Sequence, residues 1–144
     1  MEILITFAIF SILLGVAILM LSQAGRNMTF AQEGHNAHLA AQSLMMVVRQ
    51  AFEDASENAA NASAVSSALA AVINDYAYDR SIEDYSVWIV GATSMEFHST
   101  DAPEADISFV GVPGLNISGS ATVIVIAVWN EHGHIAGRAV GVVN

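Results

Sequence analysis

Residues 3–21 read ILITFAIFSILLGVAILML, and this uncharged run decides how the rest of the sequence is interpreted. As an α-helix it spans roughly 28 Å at about 1.5 Å per residue, which is close to the thickness of a bilayer core. The run is longer than the apolar region of an ordinary secretory signal, and the residues that follow it, Ser22–Arg26, contain no cleavage site of the A-x-A type. We therefore predict a membrane-length helix that the mature protein retains.

The overall composition excludes several functional classes. The 144 residues include no cysteine, so no disulfide, zinc-thiolate site or thiol nucleophile is available. Hydrophobic residues make up 54% and charged residues only 12%, whereas an average soluble domain has about 25% charged residues. This balance favours contact with a membrane or burial in an assembly. The net charge of -10 disfavours binding to nucleic acid or to an anionic surface, so no nucleic-acid partner is expected.

Helical periodicity continues beyond the apolar run. Apolar residues at i, i+3, i+4, i+7 and i+8 form a stripe that consists of Leu44, Val47, Val48, Ala51 and Phe52. We predict one long N-terminal helix over residues 1–53, apolar over 3–21 and amphipathic over 30–53. Small polar residues at 54–63 predict a break, and the pattern over 64–78 predicts a short second helix.

The C-terminal part of the chain has the pattern of β-strands. Strands are predicted at 85–90, 94–98, 107–112, 121–129 and 134–143. They would form an antiparallel sheet of four or five strands over residues 85–143. Together with the short helix, this sheet makes a head domain over residues 54–144 that packs on one side of the amphipathic helix. The predicted fold class is therefore α+β.

Two features of these strands predict contacts. The segment 121–129 is apolar at nearly every position and should be buried on both faces. Its outer face would be covered either by the second helix or by a neighbouring subunit. Gly137 and Gly141 in the last strand predict close approach of another backbone, or a bulge.

Three Asn-x-Ser/Thr sequons begin at Asn27, Asn61 and Asn116, and they favour an exported glycoprotein. Arg26 follows the apolar run and favours the opposite orientation, with the bulk of the chain in the cytoplasm. The two signals agree if a short basic leader preceded Met1 and was removed after membrane insertion, and we expect this.

The first ten residues, MEILITFAIF, resemble the hydrophobic stretch of archaeal pre-pilins that carry a class III signal. In that family a Glu lies just after a leader-peptidase site and precedes an apolar run, and bacterial type IV pilins are similar in logic. The resemblance extends from Met1 to about Gly25. It implies the major pilin of an extracellular type IV-like adhesion pilus: a homopolymer, embedded in the membrane before assembly. The implied partners are a pre-pilin peptidase and the pilus assembly machinery.

Glu2 is the candidate assembly residue, and two roles are open for it. Either it lies in the headgroup region and favours the helix N-terminus through the macrodipole, or it pairs with the α-amino group of a neighbouring copy.

Other functional classes also remain open. They are an archaellum subunit, whose family has an essentially all-β outer domain, a minor pilin or pseudopilin, and a monomeric membrane-anchored binding domain. The last predicts that the doubly apolar strand is covered within its own chain.

Three clusters of polar side chains are candidates for metal binding: His35 with His38, His132 with His134 beside Glu131, and the acidic loop Asp101, Glu104 and Asp106. The histidine pairs lack a third ligand at fixed spacing. The loop lacks the glycine and the additional acids of the helix-loop-helix calcium pattern. Solvated side chains are therefore favoured and no metal is predicted. The sequence also lacks the common nucleophile, phosphate-loop, dinucleotide and H-E-x-x-H motifs, so we predict neither enzyme activity nor a cofactor.

Overall fold

The computed structural model describes residues 2–58, 61–92, 94–105, 107 and 121–143, with side chains from Thr6 onward. The elements in chain order are α1 (Glu2–Asn58), α2 (Ala62–Asp79), β1 (Tyr85–Val90), β2 (Met95–His98), β3 (Thr122–Trp129) and β4 (Ile135–Val143). This order confirms the predicted α+β fold with a long N-terminal helix, a short second helix and an antiparallel sheet. The chain divides into two compact units, Met1–Glu33 and Gly34–Asn144.

The sheet lies in the second unit and has the strand order β2-β1-β3-β4, with every neighbouring pair antiparallel. The register places Val87 opposite Ile126 and Trp88 opposite Val125, so alternate residues point to opposite faces. The prediction of a further strand over 107–112 is wrong at Ile107, which has 3₁₀-helical conformation. Residues 108–112 lie outside the described part of the chain.

Helix α1 extends to Asn58, so the break predicted from residue 54 is wrong in its first half. Local hydrogen bonds hold this last turn in helical form. The Ser56 hydroxyl donates to the Glu53 carbonyl at 2.9 Å, and the Asn58 amide donates to the Asp54 carbonyl at 2.8 Å. The Arg49 guanidinium also donates to the Glu53 carboxylate at 3.1 Å, one helical turn away. Small polar composition therefore did not prevent helix formation here.

Helix α2 begins at Ala62, two residues before the predicted start at residue 64. The reason is Asn61, whose side-chain oxygen accepts a hydrogen bond from the Ala64 N–H at 2.9 Å and caps the helix. The buried face of α2 repeats every fourth residue, as an amphipathic helix requires. It consists of Val65, Leu69, Ile73 and Ala77.

The main core of the second unit lies between the helices and the inner face of the sheet. The amphipathic stripe predicted for α1 is confirmed, because Leu44 and Val48 are fully buried there. They pack with residues of α2, β1 and β3, among them Leu69, Ile73, Val87, Ile89, Ile124 and Ile126. Burying one such aliphatic side chain stabilises the fold by about 1.5–3 kcal/mol.

Tyr85 connects the helical layer to the sheet. Its phenolic hydroxyl, at the start of β1, donates a hydrogen bond to the Asn74 side-chain oxygen of α2 at 2.6 Å. Burial raises the pKa of the Tyr85 phenol above its ordinary value, since the charged form is poorly solvated there.

The outer face of the sheet carries a second apolar cluster that consists of Trp88, Val123, Val125, Ala127 and Trp129. Both helices pack on the inner face, so of the two alternatives for the outer face, cover by α2 is wrong. The short connection between Asn58 and Ala62 keeps α2 beside α1, as in an αα-hairpin. The residues that pack on the outer cluster include Ala102, Ala105 and Ile107, which follow β2. The chain thus supplies cover for this face itself.

Strand β4 runs so close to α1 that a β-carbon on Gly137 would overlap the backbone of Ala37. The predicted approach of another backbone is confirmed at this position. At Gly141 the neighbour is instead the flexible side chain of Met45. The two glycines therefore differ in how well their surroundings can accept a methyl group.

We expect Gly137→Ala to lower the free energy of unfolding by about 1–3 kcal/mol, because two backbone segments must separate. Gly141→Ala is the matched control on the same strand and should cost clearly less, since Met45 can change rotamer. Urea unfolding of the full chain in detergent, followed by tryptophan fluorescence, measures both values. Equal losses for the two variants would contradict the close backbone contact at Gly137.

Candidate assembly surface

The first unit presents an uncovered apolar helix. Every side chain described from Thr6 to Phe30 is exposed; Phe7 and Leu21, for example, are 72% and 77% accessible. This helix is long and apolar enough to cross a membrane. Soluble monomers rarely expose contiguous apolar patches larger than a few hundred Å², so a surface of this kind requires lipid or other protein to cover it.

Charged residues are almost absent from this unit. In residues 1–33 the sequence has only Glu2, Arg26 and Glu33. Glu2 is the first residue of α1, where a carboxylate is favoured by the positive end of the helix macrodipole. The predicted pairing of Glu2 with a neighbour's α-amino group lies outside the described side chains. The unit can therefore make apolar contact along nearly its whole length, with charge only towards its ends.

The three sequons differ in their surroundings. Asn27 is exposed within α1, whereas Asn116 lies outside the described residues. Asn61 is exposed at the start of α2, and its side-chain oxygen accepts bonds from the Ser63 hydroxyl at 2.8 Å and from the Ala64 N–H at 2.9 Å. Within the described part of the chain its amide nitrogen has no partner. Asn61 can therefore cap the helix through its oxygen while its nitrogen carries a glycan.

The histidine candidates lie on exposed surface. His35 and His38 are exposed on α1, and the His38 Nε2 atom lies 3.0 Å from the Gln42 side-chain nitrogen. His132 and His134 belong to the turn between β3 and β4. Their backbone N–H groups both donate to the Asn130 side-chain oxygen, at 3.1 Å and 2.9 Å. Asn130 therefore organises the backbone of this turn.

The acidic loop lies beside a shallow depression of about 590 Å³ on the outer side of β2. Glu96, His98 and Glu104 contribute its polar lining. Asp101 is exposed, and Asp106 lies outside the described residues. Among the residues that the structure describes, no three His, Asp or Glu side chains come close enough together to hold a metal ion.

One buried polar cluster was missed at the sequence level. Ser86 is fully buried on the outer sheet face. Its hydroxyl oxygen accepts a bond from the Trp129 indole N–H at 3.0 Å and lies 2.9 Å from His98 Nδ1. The His98 Nε2 atom lies 3.7 Å from a Glu96 carboxylate oxygen. The order Ser-His-Glu resembles a hydrolase triad, but a hydroxyl without solvent access cannot attack a substrate.

This cluster has a structural role. Ser86 and His98 are direct partners in the β1–β2 register, and Trp88 packs edge-on against His98 with ring centroids 5.6 Å apart. The cluster therefore ties β1, β2 and β3 together. A sequence signal existed, since a hairpin register drawn from the turn at Gly91 would have paired Ser86 with His98.

We predict that Asn61→Ala and Ser63→Ala have different consequences. Both remove the sequon, so each should lower the intact mass of the native protein by the same glycan. Only Asn61→Ala also removes the helix cap, and it should lower stability by about 1 kcal/mol. Mass spectrometry and thermal unfolding separate the two effects. An intact mass equal to that of the bare chain in the native protein would contradict glycosylation.

Comparison with known proteins found no protein-family model, no curated protein and no solved structure that matches this chain. Its function is therefore inferred from the chain's own features. These are the uncovered apolar surface of the first unit, the acidic second unit and the resemblance of the first ten residues to pre-pilins.

Proposed function

We propose that this chain is the structural subunit, a major pilin, of an extracellular archaeal type IV-like pilus used for adhesion. The observation that carries the proposal is the exposure of every described side chain from Thr6 to Phe30. Helices from many copies cover this surface when they pack together. Each Å² of apolar area removed from water contributes about 25 cal/mol, so a homopolymer of this chain satisfies a requirement that the single copy does not.

The same segment suits two successive environments. Before assembly it lies in the lipid bilayer, where every backbone group of an α-helix is bonded internally. After removal of a leader by a pre-pilin peptidase, the assembly machinery transfers it from lipid into the fibre core. Both environments are apolar, so the transfer leaves the hydrophobic surface covered throughout.

The distribution of charge supports an outward position of the second unit. Of the 14 acidic residues, 12 follow Glu33, together with three of the four arginines. A surface of this sign remains hydrated and repels its own copies, which opposes lateral association of finished fibres. Glycans at Asn61 and Asn116 in the second unit would add to this repulsion, whereas Asn27 lies nearest the fibre core. In the proposed function the chain has no catalytic role and binds neither a cofactor nor nucleic acid.

Helix α2 weighs against the archaellum alternative, because the outer domain of that family is essentially all-β. A minor pilin or pseudopilin differs from a major pilin in copy number. The fraction of the fibre that consists of this chain therefore distinguishes the two.

A second candidate function is a monomeric membrane-anchored binding domain. One observation favours it: Ala102, Ala105 and Ile107 of the same chain pack on the outer face of the sheet. A monomeric domain must cover the outer face of its sheet with its own residues, whereas in a filament a neighbouring subunit could cover that face. The state of the apolar helix, packed against copies or dissolved in lipid as a single span, distinguishes the two candidates.

Cryo-electron microscopy of material sheared from native cells tests the proposal. We expect long fibres whose density is accounted for by one repeated copy of this chain, with the apolar helices at the centre. Recovery of the protein solely from the membrane fraction, and as a monomer in mild detergent, would refute the pilin proposal and support the anchored domain.

Glu2 provides a separate prediction about assembly. If its carboxylate pairs with a neighbour's α-amino group, Glu2→Gln should lower the yield of fibres while the chain still inserts into membranes. Glu33→Gln is the matched control, because it removes the other carboxylate of the first unit. Fibre yield per cell, measured by electron microscopy, gives the comparison. Unchanged assembly of the Glu2 variant would assign Glu2 to the macrodipole role instead.

A further inference from the structure

Helices α1 and α2 leave an apolar groove on one flank of their pair, within the second unit. Two depressions of about 410 and 400 Å³ form it. Ten residues of α1 line them, and six of these repeat at i, i+4, i+7, i+8, i+11 and i+15, which places the six along one side of the helix. These residues are Leu39, Ser43, Met46, Val47, Gln50 and Asp54. Ala68 and Val72 of α2 line one depression, and Arg80, the residue after α2, lines the other.

The groove is shaped to accept a helix. Alanines contribute to both depressions, and small side chains allow the backbone of a partner helix to come close. Two large apolar side chains stand at its edge, with Leu39 49% and Met46 68% exposed. The α1 residues 39–54 extend over roughly 23 Å at about 1.5 Å per residue. An apolar helix of about four turns would fill this length.

The first unit of the same chain carries a complementary pattern. Ala8, Gly15 and Arg26 follow the spacing i, i+7 and i+18. Leu39, Met46 and Glu57 follow the same spacing. In each set the first and last residues lie five turns of an α-helix apart, so the three residues share one side. The small residues Ala8 and Gly15 occupy the positions that Leu39 and Met46 occupy in the other set. The positively charged Arg26 likewise corresponds to the negatively charged Glu57.

We propose that the groove of one copy receives the apolar segment 6–21 of a second copy, parallel to α1. This inference rests on the proposed filament. Leu39 then packs over Ala8 and Met46 over Gly15, where a β-carbon would meet nothing within 4 Å in the single chain. Arg26 meets Glu57, and within the described part of the chain neither of these exposed residues has an ion-pair partner.

Charge decides the orientation of the segment. In the parallel arrangement Arg26 lies near the acidic end of the groove, beside Asp54 and Glu57. In an antiparallel arrangement it would lie towards Arg80, which lines the opposite end. Two like charges in contact disfavour that alternative. In the parallel register each residue of the segment faces the groove residue 31 positions later in the sequence, as Ala8 faces Leu39.

Cysteine cross-linking of mixed single variants tests this register, since the chain has no native cysteine. Full-length Gly15→Cys and Met46→Cys chains are mixed in detergent, assembled by detergent removal and oxidised. We expect a disulfide-linked dimer, because the small Gly15 lets the two backbones approach and brings the two Cα atoms within the reach of a disulfide. Gly15→Cys mixed with Ser56→Cys on the opposite flank of α1, or with the out-of-register Leu39→Cys, should give at least tenfold less dimer.

Charge reversal provides an independent readout that needs no oxidation. Arg26→Glu should lower the assembled fraction about fivefold at low ionic strength, as expected for loss of an exposed ion pair. Glu57→Arg in the same chain should restore it. Glu131→Arg, in the exposed turn between β3 and β4, is the matched control and should not restore it. Sedimentation of the assembled material measures all three variants.

The outcomes separate this inference from the function on which it rests. Assembly into fibres with no Gly15–Met46 dimer, with equal dimer from the control pairs, or with no restoration by Glu57→Arg, would overturn the groove and leave the pilin proposal standing. A chain that stays monomeric after detergent removal would overturn both.

Discussion

The apolar surface of residues 6–30 is the constraint on which the rest of this molecule depends. A helix that exposes Phe7, Leu21 and Phe30 to solvent is not a stable end state for a soluble single chain. Cover must come from lipid or from protein. The lack of charge between Glu2 and Arg26 keeps both kinds of cover available. The proposed filament subunit needs this property, because its apolar segment must stay covered both in the membrane and in the polymer.

The described part of the second unit has no comparable deficit. Its sheet is covered on the inner face by α1 and α2 and on the outer face by residues that follow β2. Specific contacts fix this arrangement: the bond from Trp129 to Ser86, the bond from Tyr85 to Asn74, and the close approach of Gly137 to α1. A neighbouring copy is therefore not required at the sheet. The flank of the helices does remain accessible for protein contact.

The polar candidates show why residue type alone does not define a site. The histidine pairs are exposed and local, and the acidic side chains that are described do not converge. The Ser86, His98 and Glu96 cluster does converge, yet its hydroxyl is buried and accepts a bond from Trp129. A chemical site needs side chains that come together and that a ligand or substrate can reach. Within the described residues the depressions along α1 and α2 are lined mainly by apolar side chains, whereas the one beside β2 is lined in part by Glu96, His98 and Glu104.

The sequence by itself determined the element types and their order, because hydrophobic periodicity is a local property. A continuous apolar run, a stripe at helical spacing and a doubly apolar strand each follow from neighbouring residues. Helix ends were less predictable, since side-chain bonds at Ser56, Asn58 and Asn61 moved them by a few residues. Tertiary structure alone decided that both helices pack on one face of the sheet, that Ser86 meets Trp129, and that α1 and α2 leave a groove. These features join residues far apart in the chain, and only the packed three-dimensional arrangement determines which of them meet.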